Sequence, residues 1–361
     1  MRVLLVSPYH TGSHRQWAEG YREQSAHDVE ILSLPGQFWK WRLSGAAAAL
    51  ADLVRTAVEA RGRPEVLLAT SMTDLAGLLG LARRPLDGVP AALFMHENQV
   101  TYPATGRTRH ERRLGLISWH AVLAADAVAF NSQFHHDAFL DVLTGFLGSM
   151  PDEHGREVRM PERVSILPVG VDLDGLEPGA RREDPPLVLW NHRWDPDKAP
   201  EVFLAALGRL AADGVPFRVA LAGERFVGQG DEYAPAVAAL GDRVEVAEHL
   251  PRPAYRELLR RSDVVVSTAL QEFFGVAVVE AMAAGALPIL PDRLVYPERI
   301  PPAHAAHCLY AGPDELVACL SSALAEPKRS RTLGAELAST VRHFDWREVA
   351  PRYDAWLESL T

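Results

Sequence analysis

Glu272-Phe273-Phe274-Gly275-Val276-Ala277-Val278-Val279-Glu280 sets two carboxylates around a short apolar run that holds one glycine. Before it lies Asp263-Val264-Val265-Val266-Ser267-Thr268, which reads as a buried parallel strand. After it comes Ala281-Met282-Ala283-Ala284-Gly285, which reads as helix closed by a glycine cap. The two glutamates therefore bracket a strand-to-helix turn, with Glu272 in the loop at a strand's carboxyl end and Glu280 inside the next helix. Open α/β sheets bind their ligands at that end of the strands. Gly275 leaves the backbone amides at the helix start uncovered, ready for a phosphate or a sugar hydroxyl.

The same alternation extends outward from this stretch. In the second half, Leu187 to Trp190, Phe217 to Ala222, Val244 to Ala247, Val264 to Thr268 and Ala286 to Leu290 read as strands. Helical patterns at Ala199 to Ala212, Ala254 to Arg261 and Glu315 to Leu324 fit between them. The first half repeats the scheme with strands at Arg2 to Ser7, Val29 to Leu34, Val66 to Ala69, Ala91 to Met95, Ala127 to Phe130 and Val164 to Leu167. Its helical patterns include Ser44 to Ala60 and Gly115 to Ala125. Between the halves, Gly170 to Pro186 loses all periodicity and reads as a linker. The expected fold class is α/β, with two Rossmann-like domains facing across a cleft. Their expected bounds are residues 1–170 and 171–345, with the amphipathic segment 346–361 packing back on the first domain.

A chain of 361 residues with 48% hydrophobic content can bury the cores that two domains need. Its apolar runs fall well short of the roughly 20 residues that span a bilayer, and Met1 to Pro8 lacks a signal peptide's features. No membrane insertion and a cytoplasmic location are expected. A net charge of −10 speaks against a generic nucleic-acid binder. Local basic patches remain at Arg107-Thr108-Arg109-His110-Glu111-Arg112-Arg113 and Lys40-Trp41-Arg42. Cys308 and Cys319 lack metal or redox spacing and read as free thiols.

The strand Leu187 to Trp190 runs into Asn191-His192-Arg193-Trp194-Asp195-Pro196-Asp197-Lys198-Ala199-Pro200. Arg193 offers a planar fork and Lys198 a compact point charge, which together suit a leaving pyrophosphate. Taken alone, the pair reads equally well as solvated loop charge. Glu272 and Glu280 emerge at the same end of one predicted sheet, and that convergence favours a ligand. Gly223-Glu224-Arg225-Phe226 and Glu248-His249-Leu250 follow other strands and either frame a base or are ordinary loops.

Arg193 with Lys198, followed by the Glu272 and Glu280 pair, resembles the donor site of retaining glycosyltransferases of the two-Rossmann GT-B architecture, family 4. The resemblance implies that Arg193 and Lys198 hold the nucleoside diphosphate, Glu272 lies beside the donor sugar and Glu280 binds ribose. Phe273, Phe274, Gly275 and Val276 would present backbone amides. No cofactor is expected, and catalysis should be metal-independent because the two cations replace the ion that other glycosyltransferases recruit. The family's glycine before the arginine is here His192, which puts close backbone approach there in question.

On the other half, Ser7-Pro8-Tyr9-His10-Thr11-Gly12-Ser13-His14 ends the first strand. Gly12 and Ser13 either offer amides to the pyrophosphate or simply turn strand into helix. Phe94-Met95-His96-Glu97-Asn98-Gln99 places polar residues directly after a buried strand, where a core role is hard to find, and this favours His96 as functional. These two segments, with Leu34-Pro35-Gly36-Gln37-Phe38-Trp39-Lys40-Trp41-Arg42, are similar to the tRNA-queuosine α-mannosyltransferases. That resemblance implies transfer of mannose from GDP-mannose to the cyclopentenediol of queuosine at the wobble position of tRNA(Asp). His14, Trp39, Lys40, Trp41, Arg42, Glu97, Asn98, Gln99, Arg109 and Arg113 would then serve the acceptor. Trp39 and Trp41 would stack on an unpaired base while the cations meet phosphates. Without the resemblance, the tryptophans read as helix packing and the arginines as a solvated face.

No nucleophile and base of the kind double displacement needs is apparent, so a front-face retaining transfer is expected, with His96 and Glu272 nearest the chemistry. Two other functions fit the same residues. One is a family 4 transferase using another nucleotide sugar and a lipid-linked or small-molecule acceptor, although Ser44 to Ala60 carries little positive charge for a membrane-facing helix. The other is a non-catalytic protein that binds a sugar nucleotide or tRNA.

Overall fold

The computed structural model describes residues 1–102, 109–152, 158–179, 184–224 and 231–361. Arg107, Arg225 and Phe226 lie outside the described residues, as do the side chains of Arg109 and Arg112. The chain divides into two compact units, Met1–Gly170 with Trp346–Thr361, and Val171–Asp345.

The first unit is built on six strands: β1 (Arg2–His10), β2 (Asp28–Pro35), β3 (Val66–Thr70), β4 (Ala91–Met95), β5 (Ala127–Phe130) and β6 (Arg163–Ile166). They form one sheet in the order β2-β1-β3-β4-β5-β6. The second unit has β7 (Leu187–Trp190), β8 (Arg218–Leu221), β9 (Val244–Val246), β10 (Val264–Val266), β11 (Leu287–Pro291) and β12 (Leu309–Tyr310). Their order is β12-β11-β10-β7-β8-β9. Neighbouring strands pair in parallel, as in Val3 opposite both Val29 and Val66, and Val264 opposite both Val188 and Leu287. Parallel pairing needs a crossover between strands, and helices supply it, so both sheet faces are covered and central strands such as β3, β4, β7 and β10 are buried throughout.

Helix periodicity accounts for what each crossover buries. In Gly12–Gln24 the buried residues are His14, Trp17, Ala18 and Tyr21, one stripe at spacings of three and four. The final helix, Trp346–Glu358, buries Trp346, Val349, Ala350, Tyr353, Trp356 and Leu357 within the first unit. Two glycines make room for it, because a Cβ at Gly20 or Gly170 would collide with the Trp346 indole. Asp354 then accepts hydrogen bonds from the Tyr21 hydroxyl (2.8 Å), the Ser25 hydroxyl (2.6 Å) and the Ala26 amide (2.9 Å), which satisfies a buried carboxylate.

Some elements differ from the sequence reading. The helical pattern at Ser44 starts earlier, at Trp39, and is divided at Ala46 into Trp39–Gly45 and Ala47–Arg61, next to a glycine that weakens the helix interior. β12 has two residues, too few to show a period. Helices Leu75–Leu81, Gln133–Gly148 and Pro327–Ala338 join those read from the pattern. Among the described residues no helix is long and apolar enough to cross a membrane.

Candidate active site

In the second unit the strand order reverses between β7 and β10, so the loops leaving these two neighbours open side by side. The loop after β7 is fastened to the loop after β10 by hydrogen bonds to its backbone carbonyls. Thr268 Oγ1 donates to the carbonyls of Lys198 (2.8 Å) and Ala199 (3.0 Å), and the Leu270 amide donates to the Asp197 carbonyl (2.7 Å). These bonds hold Ala199 in a left-handed conformation, φ 45°, which is costly for any residue with a Cβ. Pro200 then starts the next helix. The outcome is a buried Lys198 whose ammonium sits 2.7 Å from the Gln271 carbonyl, 3.2 Å from Asp197 Oδ2 and 3.3 Å from Glu272 Oε2.

Glu272 turns its other oxygen inward. Oε1 accepts from the amides of Phe273 (3.1 Å), Phe274 (3.3 Å) and Gly275 (3.1 Å). The amides of Phe273, Phe274 and Gly275, expected to be presented to a ligand, are in this structure taken by Glu272 itself. Gly275, at φ 83°, supplies the left-handed step that points its amide at the carboxylate, and Val276 begins the helix. Burial by itself would raise the Glu272 pKa, but Lys198, His192 and the backbone amides outweigh it and hold it down at about 2. Burial opposes the Lys198 charge, yet Glu272 and Asp197 raise its pKa. The two are an ion pair at neutral pH. His192, buried beside them, is lowered to about 4 by burial and by Lys198, so it is neutral. Gly223 has no side chain, and a Cβ there would collide with the His192 backbone carbonyl, so the two backbones run close together.

Glu280, in the helix Val276–Ala283, is 5% exposed. Its Oε1 receives Arg252 Nη1 at 2.6 Å and its Oε2 the Tyr255 hydroxyl at 3.1 Å. Asn191 Nδ2 donates both to that hydroxyl and to the Ala277 carbonyl, each at 2.9 Å. Burial outweighs Arg252 and Tyr255, leaving the Glu280 pKa raised. Arg252, Tyr255 and Asn191 escaped the sequence reading, though Arg252 and Tyr255 share a helix face at i and i+3 directly after the Glu248-His249-Leu250 loop. Arg193 is about half exposed and pairs with Asp195 at 3.2 Å.

In the first unit the order reverses between β1 and β3. Ser71 Oγ, just past β3, accepts the amides of His96 and Glu97 at 3.3 Å each, and Asn131 Nδ2 donates to the His96 carbonyl at 2.8 Å. The His96 ring lies 4.5 Å from Trp17, 4.7 Å from Phe94 and 4.8 Å from His14 between centroids. Both its nitrogens are buried and make no hydrogen bond of ordinary geometry among the described residues, with the Phe94 backbone as a weak polar neighbour. Burial, then His14 and His135, push its pKa well below the usual value, so the ring is neutral with one donor and one acceptor unspent. Gly12, at φ 50°, and Ser13 are exposed at the start of the helix that buries His14. Asn98 is a turn residue, since its side-chain oxygen takes the amides of Val100 and Thr101 at 2.9 Å each, which removes that oxygen from acceptor binding. Glu97 accepts from Gln99 Nε2 at 3.5 Å and from the Tyr102 hydroxyl at 3.4 Å.

The two tryptophans have different surroundings. Trp39 is partly buried and packs against the cluster of Leu43, Met72, Leu114 and Ile117. Trp41 is 62% exposed, and Phe38, which the sequence reading did not single out, is 76% exposed at φ 57°. Lys40 Nζ lies 5.5 Å from the Trp39 ring centroid, and Arg42 Nε donates to the Pro35 carbonyl at 3.0 Å. Gly36 allows this segment to run against Thr11. Arg113 is exposed on the helix Arg109–Ala124.

Comparison with known proteins fits both halves. Residues 2–171 match the family described as tRNA-queuosine α-mannosyltransferase N-terminal, and residues 176–337 match glycosyl transferases group 1. The tRNA-queuosine α-mannosyltransferase of Drosophila melanogaster is 35% identical over 312 residues, covering 83% of this chain and 81% of that protein. The GDP-mannose:cellobiosyl-diphosphopolyprenol α-mannosyltransferase of Xanthomonas campestris is 24% identical, over 93% of this chain and 89% of its own length. Among solved structures, sucrose-phosphate synthase from Thermosynechococcus elongatus superposes with a TM-score of 0.78 at 17% identity, covering 100% of this chain and 99% of that one. Anabaena HepE in complex with UDP and glucose does so at 0.69 and 17%, over 99% of this chain and 100% of its own. The two parallel sheets are thus those of the GT-B architecture. On these grounds the chain is a glycosyltransferase and belongs to the tRNA-queuosine α-mannosyltransferase family.

Proposed function

We propose that this chain transfers mannose from GDP-mannose to the cyclopentenediol of queuosine in the anticodon of tRNA(Asp), with retention and without a metal ion. The observation that carries the donor half is the buried Lys198 and Glu272 pair set on three backbone amides at the β7–β10 reversal. An incoming diphosphate finds there a cation already desolvated, where its charge acts more strongly than in water. Arg193, half exposed, adds a second cation from the rim. Glu280 keeps lone pairs for the ribose hydroxyls while Arg252 and Tyr255 fix its orientation. In this reading the departing phosphate oxygen takes the proton of the attacking hydroxyl, so the protein contributes positioning and charge stabilisation. His96 hydrogen-bonds the donor sugar, and its neutrality matters because an imidazolium would oppose the positive charge that develops on the ring.

For the acceptor, the exposed Trp41 is the stacking surface and Lys40, Arg42 and Arg113 meet phosphates. A cytoplasmic location goes with a tRNA substrate. The test is incubation with GDP-mannose and queuosine-containing tRNA(Asp), with and without EDTA, followed by mass analysis of the modified nucleoside. A hexose increase that survives EDTA is expected. Sugar-nucleotide turnover without a tRNA product would return the chain to the broader family 4 reading, and binding without turnover would support the non-catalytic one.

A further inference from the structure

The geometry points to Arg299 as a positioning residue for the Glu272 turn, acting through the peptide between Phe274 and Gly275. Its importance to catalysis rests on the function proposed above. Arg299 ends the short turn Tyr296–Arg299 that follows β11 and is 7% exposed. Its Nε and Nη2 both donate to the Phe274 carbonyl, at 3.2 and 3.1 Å. The guanidinium also lies 4.4 Å from the Phe274 ring centroid and 4.8 Å from that of Phe344. Glu298 Oε2 stands 3.9 Å from its Nη1, too far for a hydrogen bond.

A cation in such a place costs desolvation energy, and a long apolar side chain would fill the space without that cost. Burial accordingly lowers its pKa to about 10. What the fork achieves is orientation. The Phe274 carbonyl and the Gly275 amide belong to one rigid peptide plane, so fixing the oxygen fixes where the N–H points. That N–H donates to Glu272 Oε1 at 3.1 Å. Gly275, at φ 83°, has no side chain to resist a peptide flip, so the restraint has to come from a neighbour. Tyr296, on the same turn as Arg299, anchors it to the end of β10 through a 2.6 Å hydrogen bond between its hydroxyl and Ser267 Oγ. The chain of contacts thus runs from Arg299 to the Phe274–Gly275 peptide, to the Glu272 carboxylate, to Lys198.

The experiment compares wild type with Arg299→Met and Arg299→Lys. It reads kcat and KM for GDP-mannose turnover, GDP affinity by calorimetry, and amide exchange of Gly275 by NMR on glycine-labelled protein. For folded Arg299→Met, Gly275 exchange should quicken by about tenfold or more and kcat should fall about thirtyfold or more. KM and GDP affinity should stay within about threefold, because the nucleotide's ligands are untouched. Arg299→Lys, which keeps the charge and loses the fork, should recover part of the lost kcat. Folded Arg299→Met with unchanged Gly275 exchange, or with wild-type kcat, would overturn the proposal. If Arg299→Met does not fold, Arg299→Lys decides: wild-type kcat and wild-type exchange together overturn it, and a loss in both supports it. Wild type inert toward GDP-mannose would defeat the functional reading alone, and Gly275 exchange would still test the positioning role.

Discussion

Replacing Lys198 by methionine keeps the stem of the side chain and deletes one buried charge. The size of the effect follows from what that charge touches. Glu272 descends from its ordinary 4.5 to about 2 against the opposing pull of burial, with Lys198 the largest of the groups that lower it. At about 1.4 kcal/mol per pH unit that descent corresponds to about 3 kcal/mol. Breaking one partner out of a buried ion pair costs about 3–5 kcal/mol, and the descent of Glu272, which His192 and the backbone amides share with Lys198, is of the same order of magnitude. The sign follows from the direction. A carboxylate held below its unfolded pKa contributes stability that is present above that value and disappears as pH falls through the folded one. Lys198→Met should therefore be about 3 kcal/mol less stable than wild type at pH 7, and the gap should narrow between pH 4.5 and 2. Urea unfolding at pH 7, 5, 4 and 3 measures it. A loss below about 1 kcal/mol at pH 7, or a gap that does not change with pH, refutes the assignment of Lys198 and Glu272 as an ionised pair. Under the proposed function, turnover per folded molecule should fall by about a hundredfold to a thousandfold, because Lys198 is there the desolvated cation for the leaving diphosphate.

Gly275→Ala would meet Tyr296, Glu272 and Val278 only at ordinary contact distance, 3.5 Å or more, so its cost is the backbone's: about 1 kcal/mol in unfolding stability, with turnover reduced about tenfold or more because the amides that hold Glu272 are re-aimed. Trp41→Ala should leave stability within about 0.5 kcal/mol while weakening tRNA binding about tenfold, whereas Trp39→Ala should lower the melting temperature through lost packing. Titrating tRNA binding against salt should give a shallow slope of about −2 on logarithmic axes, the value for three cations, Lys40, Arg42 and Arg113, on single-stranded phosphates. Gly20→Ala should destabilise by about 1–3 kcal/mol, read by thermal unfolding, because its Cβ would collide with the Trp346 indole.

The turn from Glu272 to Glu280 was legible because its parts obey strong local rules. A β-branched run such as Val264 to Val266 has to be a strand, Gly275 has to be a turn, and both glutamates inherit their places from that frame. What could not be read is where each polar atom goes next. Whether three amides wait for a ligand or close on Glu272 is decided by a side-chain rotation that no pattern records. Arg252 and Tyr255 were hidden for another reason: they come from a helix whose contact with Glu280 is set by packing and not by sequence proximity. Trp39 and Trp41 are indistinguishable as residue types, and only the helix phase starting at Trp39 partly buries one and exposes the other.

Burial also sorts the residues by the kind of work they can do. Lys198 and Glu280 are buried and Glu272 is largely so, in low dielectric where a charge displaced by an ångström changes energies by kilocalories, so substitutions among them should appear chiefly in the rate of turnover. Trp41, Lys40 and Arg113 are exposed, where single contacts are weak and screened, so their substitutions should appear in tRNA affinity and its salt dependence. His96 combines both features, since its nitrogens are buried yet unspent among the described residues. A buried donor and acceptor left empty cost stability, and a fold keeps such a group when a ligand completes it. His96→Phe, which keeps the ring among Trp17, Phe94 and His14, should thus preserve or raise stability while it lowers turnover. Loss of both together would make the ring a structural element.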